Sequence, residues 1–307
     1  MKEYLRNNEM DISIIIVNYN TKKLTKNCID SIYEKTKDIE FEVILVDNDS
    51  NDGSKELFER DKKIEFVEAG KNLGFGKANN LGLTRATGKY IFFLNSDTIL
   101  QNNAVYEFWK YCEEHENEKL GAVGCILSDG NNVRCHSYAK LSSWKDIVLS
   151  YLVAPINKSK ARNFMGIDDQ NESSDGFEVG YVTGADLFVS KKVIDECGAF
   201  DPDFFMYSEE AEMQYRFKKH GYKNIIIHEP KIMHLEGMSQ AKRKKPTMKK
   251  IMMTHRSLLL YVKKTSTKFQ YMAFRFIFPL VRSPFMLLSR YPVKDKIKYA
   301  KLLFSKI

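Results

Sequence analysis

The stretch GKYIFFLNSDTIL, residues 88–100, decides how the rest of the chain is read. Five apolar residues in a row, Tyr90 to Leu94, run straight into the polar quartet Asn95, Ser96, Asp97 and Thr98. A short unbroken apolar run bounded by turn residues is the pattern of a strand buried on both faces. In an open α/β sheet, side chains just past the carboxyl end of such a strand face the crevice where ligands bind. That places Asp97 for chemistry. One carboxylate among oxygen-bearing neighbours suits a hard cation, Mg²⁺ or Mn²⁺, held by few protein ligands and completed by substrate phosphates. An ordinary Asp/Asn/Ser turn after a strand would read the same way here, so the flanking segments must decide.

Toward the amino terminus the same pattern repeats. DISIIIVNYN (residues 11–20) reads as a central strand with Asn18, Tyr19 and Asn20 at its mouth, and residues 21–35 follow with Leu24, Cys28, Ile29 and Ile32 at helical spacing. Residues 41–46 form a second strand ending in the cluster Asp47, Asn48, Asp49, Ser50, Asn51, Asp52, and residues 55–60 a short helix. Acids this dense are either solvated or occupied by a ligand, because burying them unpaired is too costly. A surface turn with a helix cap explains them equally well. Residues 64–68 make a third strand. GKNLGFGKANNLGL then leads into a helix, its glycines letting backbone N–H groups approach an anion, although neither a Walker loop nor a G-x-G-x-x-G turn is present. With residues 90–94 as a strand and 104–114 as a helix, the order is βαβαβαβ, the signature of a mostly parallel sheet flanked by helices.

Beyond it, residues 121–127 read as a strand, 129–132 (DGNN) as a hairpin turn, 137–174 as a mixed segment suited to a mobile covering loop, 180–190 as a strand and 191–197 as a short helix. From Ser208 the spacing is helical, with Glu209, Glu210 and Glu212 in the first turn, where acids suit the helix dipole. A merely well-capped helix looks the same. Residues 225–227 form a strand, and His234 is expected in a polar loop with Glu236 and Gly237; a lone histidine is usually structural.

Length and composition fit this picture. The 307 residues, 43% hydrophobic, allow roughly two domains or one large domain with an appendage. The first ten residues lack the apolar core of a secretory signal, and five scattered cysteines without a C-x-x-C pair argue against a zinc site or disulfide framework, so a reducing cytoplasm is expected. The net charge of +8 is unevenly spread: residues 240–307 hold 18 Lys or Arg against the single acid Asp295, which leaves the first 239 residues at −9. Residues 269–288 are strongly apolar, but Arg275, Pro279, Arg282 and Pro284 interrupt them short of the ~20 clean residues a membrane span needs. A basic, aromatic-rich helical region lying on an anionic membrane surface is the expectation, with a helical cap on the core as the alternative. Nucleic acid is not expected, since no reader motif is present.

Taken together, SIIIVNYN, ILVDNDSNDGS, NLGFGKANNLGL, YIFFLNSDT, VTGADLFV and GAFDPDFFMYSEEAEMQYRFKKHGY followed by IMHLEG resemble the family 2 glycosyltransferases of the GT-A fold. The likeness is greatest to the bacterial branch that includes rhamnosyltransferases of polysaccharide assembly. It spans residues 11–240, leaving 241–307 as a basic helical extension. The resemblance implies an inverting transfer from a nucleoside diphosphate sugar, dTDP- or UDP-linked, with Mg²⁺ or Mn²⁺ bridging the diphosphate and a glycan, lipid-linked or part of a polysaccharide, as acceptor. It also implies that Asn18, Asn20, Asp47 and Asn48 lie about the nucleotide, that the loop with Asn72, Gly74, Phe75 and Asn79 lines the donor, and that Asp97 closes the D-x-D motif. Asn95 stands in that motif's first position, and His234 matches a residue that can ligate the metal. Glu209 and Glu210 match the family's catalytic E-D pair, Glu210 taking the place of the aspartate base with one extra methylene. Two other readings compete: an inert relative that only binds nucleotide sugars or glycans, and a nucleotidyltransferase. The latter would call for a basic Gly-rich first βα turn, which residues 18–24 lack.

Overall fold

The computed structural model describes residues 10–167, 176–235 and 246–305. The amino-terminal segment, residues 168–174 of the mixed segment, Glu236, Gly237 and the boundary expected near residue 240 lie outside them. Strands β1 (Ile12–Asn18), β2 (Phe41–Asp47), β3 (Glu65–Glu68) and β4 (Tyr90–Asn95) pair in parallel in the order β3-β2-β1-β4. In β1, β2 and β4 the β-branched and aromatic side chains are buried on both faces, which is why the sequence shows no alternation there. Register does the functional work: Asn18 pairs with Asp47, and Val17 with Asn95, so the polar ends of three strands share one edge.

Helices α1 (Lys22–Lys35) and α4 (Ala104–Glu114) cover one face through Cys28, Ile29, Ile32, Val105 and Phe108. Between them in the chain lie the short α2 (Ser54–Phe58), α3 (Phe75–Leu83) and the three-residue β5 (Thr98–Leu100). On the other face, α3 packs with α7 (Lys191–Cys197) and α8 (Glu209–Lys219), contributing Ala78, Val193, Met213 and Phe217.

The second half of the sheet mixes directions. β6 (Leu120–Cys125) and β11 (Lys223–Ile227) are parallel to each other, while β10 (Asp186–Ser190) runs antiparallel between β4 and β6, and β8 (Phe177–Val179) antiparallel on β11. The eight-stranded order is β3-β2-β1-β4-β10-β6-β11-β8. The strand expected over 180–190 is therefore two: β9 (Tyr181–Val182) leaves the main sheet to pair with β7 (Tyr138–Ala139), and only Asp186–Ser190 enters it. His234 is corrected too. It ends strand β12 (Ile232–His234), which pairs antiparallel with β5 and sets His234 opposite Thr98.

In its described part, 137–167, the mixed segment is mainly helical rather than a loop, with α5 (Trp144–Val153) and α6 (Lys158–Met165). A reciprocal capping box, Ser143 with Asp146, starts α5, and Ile147 is fully buried. The carboxyl-terminal region forms α9 (Met248–Thr265), α10 (Lys268–Leu287) and α11 (Val293–Phe304). They build a third core, with Leu259, Val262, Phe274, Phe278, Tyr299 and Leu303 packed together with Ile147, Phe204 and Ala211 of the preceding chain. At its centre His255 bonds Tyr299 through Nδ1 (2.6 Å) and Tyr151 through Nε2 (3.0 Å), tying α5 and α11 to α9. Burial pushes the His255 imidazole down to about 3, so the ring is neutral.

Helix α10 continues through Pro279 and Pro284, and both of its arginines, Arg275 and Arg282, turn toward partners in the neighbouring helices and the chain end. Arg275 donates to the Ser305 carbonyl, while Arg282 stacks 4.9 Å from the Tyr151 ring centroid. The opposite side carries Phe269, Met272, Phe276, Leu280 and Leu287, each at least 60% exposed and within roughly 80° of one another around the helix. Among the described residues no helix is long and apolar enough to cross a membrane.

Candidate active site

The strand ends supply the floor of the site. The Asn18 side-chain amide donates to Asp47 (2.7 Å) and Ser50 (2.9 Å), while its carbonyl oxygen accepts from Thr21 and Thr25. Asn18 is thereby saturated and pins the turn after β2 to the start of α1. Asn48 reaches the glycine-rich loop: its Oδ1 accepts from Leu73 N–H, and its amide donates to Asn72 Oδ1 and the Gly74 carbonyl. Gly74 sits at φ +81°, and a Cβ there would lie 2.0 Å from the Phe205 carbonyl oxygen, so only glycine fits. Next to it, Phe75 N–H donates to that same carbonyl (2.9 Å). Asn20 is on the exposed rim, its backbone bonded to Ser50 and its side chain to Asn51 N–H. Asn79, by contrast, is buried and its amide caps the Phe75 carbonyl, so it braces α3 rather than facing the opening.

Across the edge, β4 ends in Asn95, whose N–H donates to the Ala185 carbonyl (3.0 Å). Asp97 Oδ1 lies 3.2 Å from His234 Nε2, and the Asn95 amide is 3.5 Å from the same nitrogen. The β5–β12 pairing that sets His234 opposite Thr98 also has Leu235 N–H donating to the Asp97 carbonyl, fixing both side chains from two sides. Among the described residues no three His, Cys, Asp or Glu side chains cluster as a self-sufficient metal cage. A carboxylate and an imidazole converging on one point nevertheless fit a Mg²⁺- or Mn²⁺-type ion that takes its remaining ligands from phosphate and water.

The acid pair enters on a strained turn. Tyr207 and Ser208 both adopt left-handed conformations, φ +75° and +66°, at a cost of ~1–3 kcal/mol each that the surrounding structure must offset. Glu209 and Glu210 follow as the first residues of α8. The three first-turn acids then part ways. Glu212 is committed to Arg216, which also donates to the carbonyls of Cys197, Gly198 and Ala199. Glu209 is 2% exposed and its Oε2 has no hydrogen-bond partner. Burial, with the neighbouring Glu210 charge adding to it, pushes the Glu209 carboxyl up to about 8. Glu210 is half-buried; desolvation raises its pKa too, against the backbone N–H groups at the helix start and the field of His136. A Cβ built on Gly184 would meet the Phe75 ring at 3.1 Å and Glu210 Cβ at 3.9 Å, so Glu210, the donor-loop aromatic and the residue preceding Ala185 converge.

Two residues of this neighbourhood escape sequence reading. His136 lies 74 positions before Glu210 with no local pattern to flag it. Asp186 is fully buried at the start of β10, accepts from Cys125 N–H (2.7 Å), and is raised to about 7 by burial with the field of His234 opposing. An acid inside the apolar run of VTGADLFV was the available signal for it.

A parallel half-sheet whose strand ends carry Asn18, Asp47, Asn95 and Asp97, closed by an antiparallel strand and a helix bearing paired acids, defines the GT-A class of fold. The chain belongs to glycosyl transferase family 2, whose family model matches residues 13–196. Among curated relatives it is 29% identical over 158 residues to a poly(ribitol-phosphate) beta-glucosyltransferase of Bacillus spizizenii, covering 49% of this chain and 25% of that protein. It is 24% identical over 221 residues to the low-salt glycan biosynthesis hexosyltransferase Agl10 of Haloferax volcanii, covering 71% and 64%. In both, the match spans less than two thirds of the relative's length. Similar solved structures include the mannosyltransferase PcManGT of Pyrobaculum calidifontis in complex with GDP-Man and Mn²⁺ (TM-score 0.56, 15% identity, 96% of this chain and 84% of that one). Another is S. aureus TarS 1-349 (TM-score 0.52, 13% identity, 96% and 70%). At these identities the structural likeness speaks for the fold.

Proposed function

We propose that the protein is an inverting glycosyltransferase that moves a sugar, with rhamnose the first candidate, from a dTDP- or UDP-linked donor to a hydroxyl of a lipid-linked or polysaccharide glycan. The observation that carries this reading is the convergence of Glu210 with Phe75 at Gly184, beside the strand end bearing Asn95 and Asp97. An acceptor hydroxyl has a pKa far above neutrality, so a carboxylate must take its proton as the new C–O bond forms. Glu210 is the one first-turn acid neither enclosed nor tied to Arg216, and its raised pKa brings it nearer to neutral, where a general base works best. Glu209, raised by burial and by the neighbouring Glu210 charge, holds its proton more tightly than a free glutamate and so adds less competing negative charge beside the base. Asn48, Asn72 and Gly74 order the donor loop, and Asn18 with Asp47 orders the nucleotide floor. Asp97 and His234 would hold a divalent cation, whose charge would offset that building on the departing diphosphate. In a single displacement the electron pair of the broken bond leaves with that diphosphate, and the anomeric centre inverts.

The outward apolar stripe of α10, together with the 18-to-1 excess of basic residues in 240–307, supports peripheral attachment to an anionic membrane on the cytoplasmic side. A second reading, a binding-only relative, is favoured by Asn95 in the first D-x-D position. A thermal-shift screen of sugar nucleotides with Mg²⁺ or Mn²⁺, followed by turnover of a labelled donor, separates the two. Stabilisation with release of nucleoside diphosphate supports the enzyme, and stabilisation without release supports the binder.

A further inference from the structure

Helix α9 carries three residues at seven-residue intervals, Lys250, Ser257 and Lys264, which drift only about 20° per interval and so form one stripe along the helix. Each one grips the segment that leads into the acid pair. Lys264 Nζ lies 2.7 Å from Asp201 Oδ2 and 2.9 Å from Asp203 Oδ2. Ser257, itself buried, donates its hydroxyl to the Met206 carbonyl (2.7 Å). Lys250 stands 5.7 Å from the centroid of the Tyr207 ring. The contacts run in order, so residues 201–207 lie antiparallel along α9. On the other side the same segment is held by the donor loop, through Phe75 N–H on the Phe205 carbonyl and the close approach at Gly74.

We propose that this face of α9 is a splint for the acid-bearing turn, with Lys250, Ser257 and Lys264 as positioning residues. Tyr207 and Ser208 are not glycines, and their left-handed conformations do not persist unless something outside the turn enforces them. The splint supplies that constraint. It explains why the chain keeps a carboxyl-terminal cap packed on the body: the cap fixes the direction in which Glu210 leaves the turn. The catalytic part of this inference rests on Glu210 being the base; the mechanical part does not.

The test uses the full chain carrying Ser257→Ala, Lys264→Met or Lys264→Arg. Amide hydrogen exchange should accelerate at least tenfold within residues 201–210 in Ser257→Ala and Lys264→Met while the central strands keep wild-type protection. Turnover of the donor found active for the wild type should fall at least tenfold, with affinity for its nucleoside diphosphate within twofold, and Lys264→Arg should restore most of both readouts. Unchanged exchange at 201–210 would overturn the splint, as would exchange rising equally across the molecule, or failure of Lys264→Arg to rescue. If exchange responds as expected but Glu210→Gln keeps its turnover, the base assignment fails and the splint stands.

Discussion

Replacing Glu210 by Gln removes one negative charge and one proton acceptor while keeping the side chain's shape. The Cβ that packs 3.9 Å from the point a Gly184 Cβ would occupy is untouched, and the charge interaction given up is the field of His136, so the turn should hold. General base catalysis contributes about 10²–10⁴-fold, so turnover should fall by that factor, equivalent to ~3–5 kcal/mol of barrier. Affinity for nucleoside diphosphate should stay within about twofold, because the residues proposed to contact it, Asn48, Asn72, Gly74 and Asp97, do not include Glu210. The neighbouring Glu209 carboxyl should drop from its value of about 8, since part of that elevation comes from the Glu210 charge. The assay is release of nucleoside diphosphate from labelled donor, beside calorimetric titration with the nucleotide. Retention of more than about a tenth of wild-type turnover, well short of the 10²-fold minimum, would refute the base role.

Glu209 bears on stability as well. Its folded-state pKa is raised, so the folded protein holds the proton more tightly than the unfolded chain, and this contribution is lost as pH rises from about 4.5 toward 8. Urea melts should show wild-type stability falling across that window by up to about 1.4 kcal/mol per pH unit from this group, and Glu209→Gln flattening the slope; parallel profiles would contradict the assignment. Gly74→Ala forces a Cβ against the Phe205 carbonyl at 2.0 Å from a positive-φ position, and should cost at least ~2 kcal/mol in a denaturant melt and weaken nucleotide binding. The double substitution Phe269→Ser/Phe276→Ser should cut sedimentation with phosphatidylglycerol vesicles at least about tenfold without lowering the melting temperature; unchanged sedimentation would count against membrane attachment through α10. Deleting residues 249–307 should yield aggregating protein rather than a soluble enzyme, because it strips Ile147, Phe204 and Ala211 of their core partners.

What could be read from sequence follows from locality. β1, β2 and β4 announce themselves because a strand buried on both faces is a run of apolar residues, and their polar ends then fall where ligands bind. Helix α5 was also legible, since Trp144, Ile147, Val148 and Tyr151 keep helical spacing behind the Ser143–Asp146 box, but the surrounding lysines and asparagines masked it. Other features depend on partners far along the chain. The antiparallel insertion of β10, the strand that carries His234, the left-handed pair before α8 and the inward turn of Arg275 and Arg282 each need a contact dozens of residues away. The arginines show the point most clearly: read alone they make α10 look like an interrupted span, whereas Tyr151, Tyr299 and Ser305 draw them inside and leave the aromatic side out.

The most direct test of the account is a crystal structure with a turned-over sugar nucleotide and Mn²⁺. The account predicts the diphosphate against Asp97 and His234, the base above Asp47 and Asn48, and the sugar's reacting carbon open toward Glu210. A nucleotide bound elsewhere, or Asp97 and Glu210 opening onto separate surfaces, would contradict it.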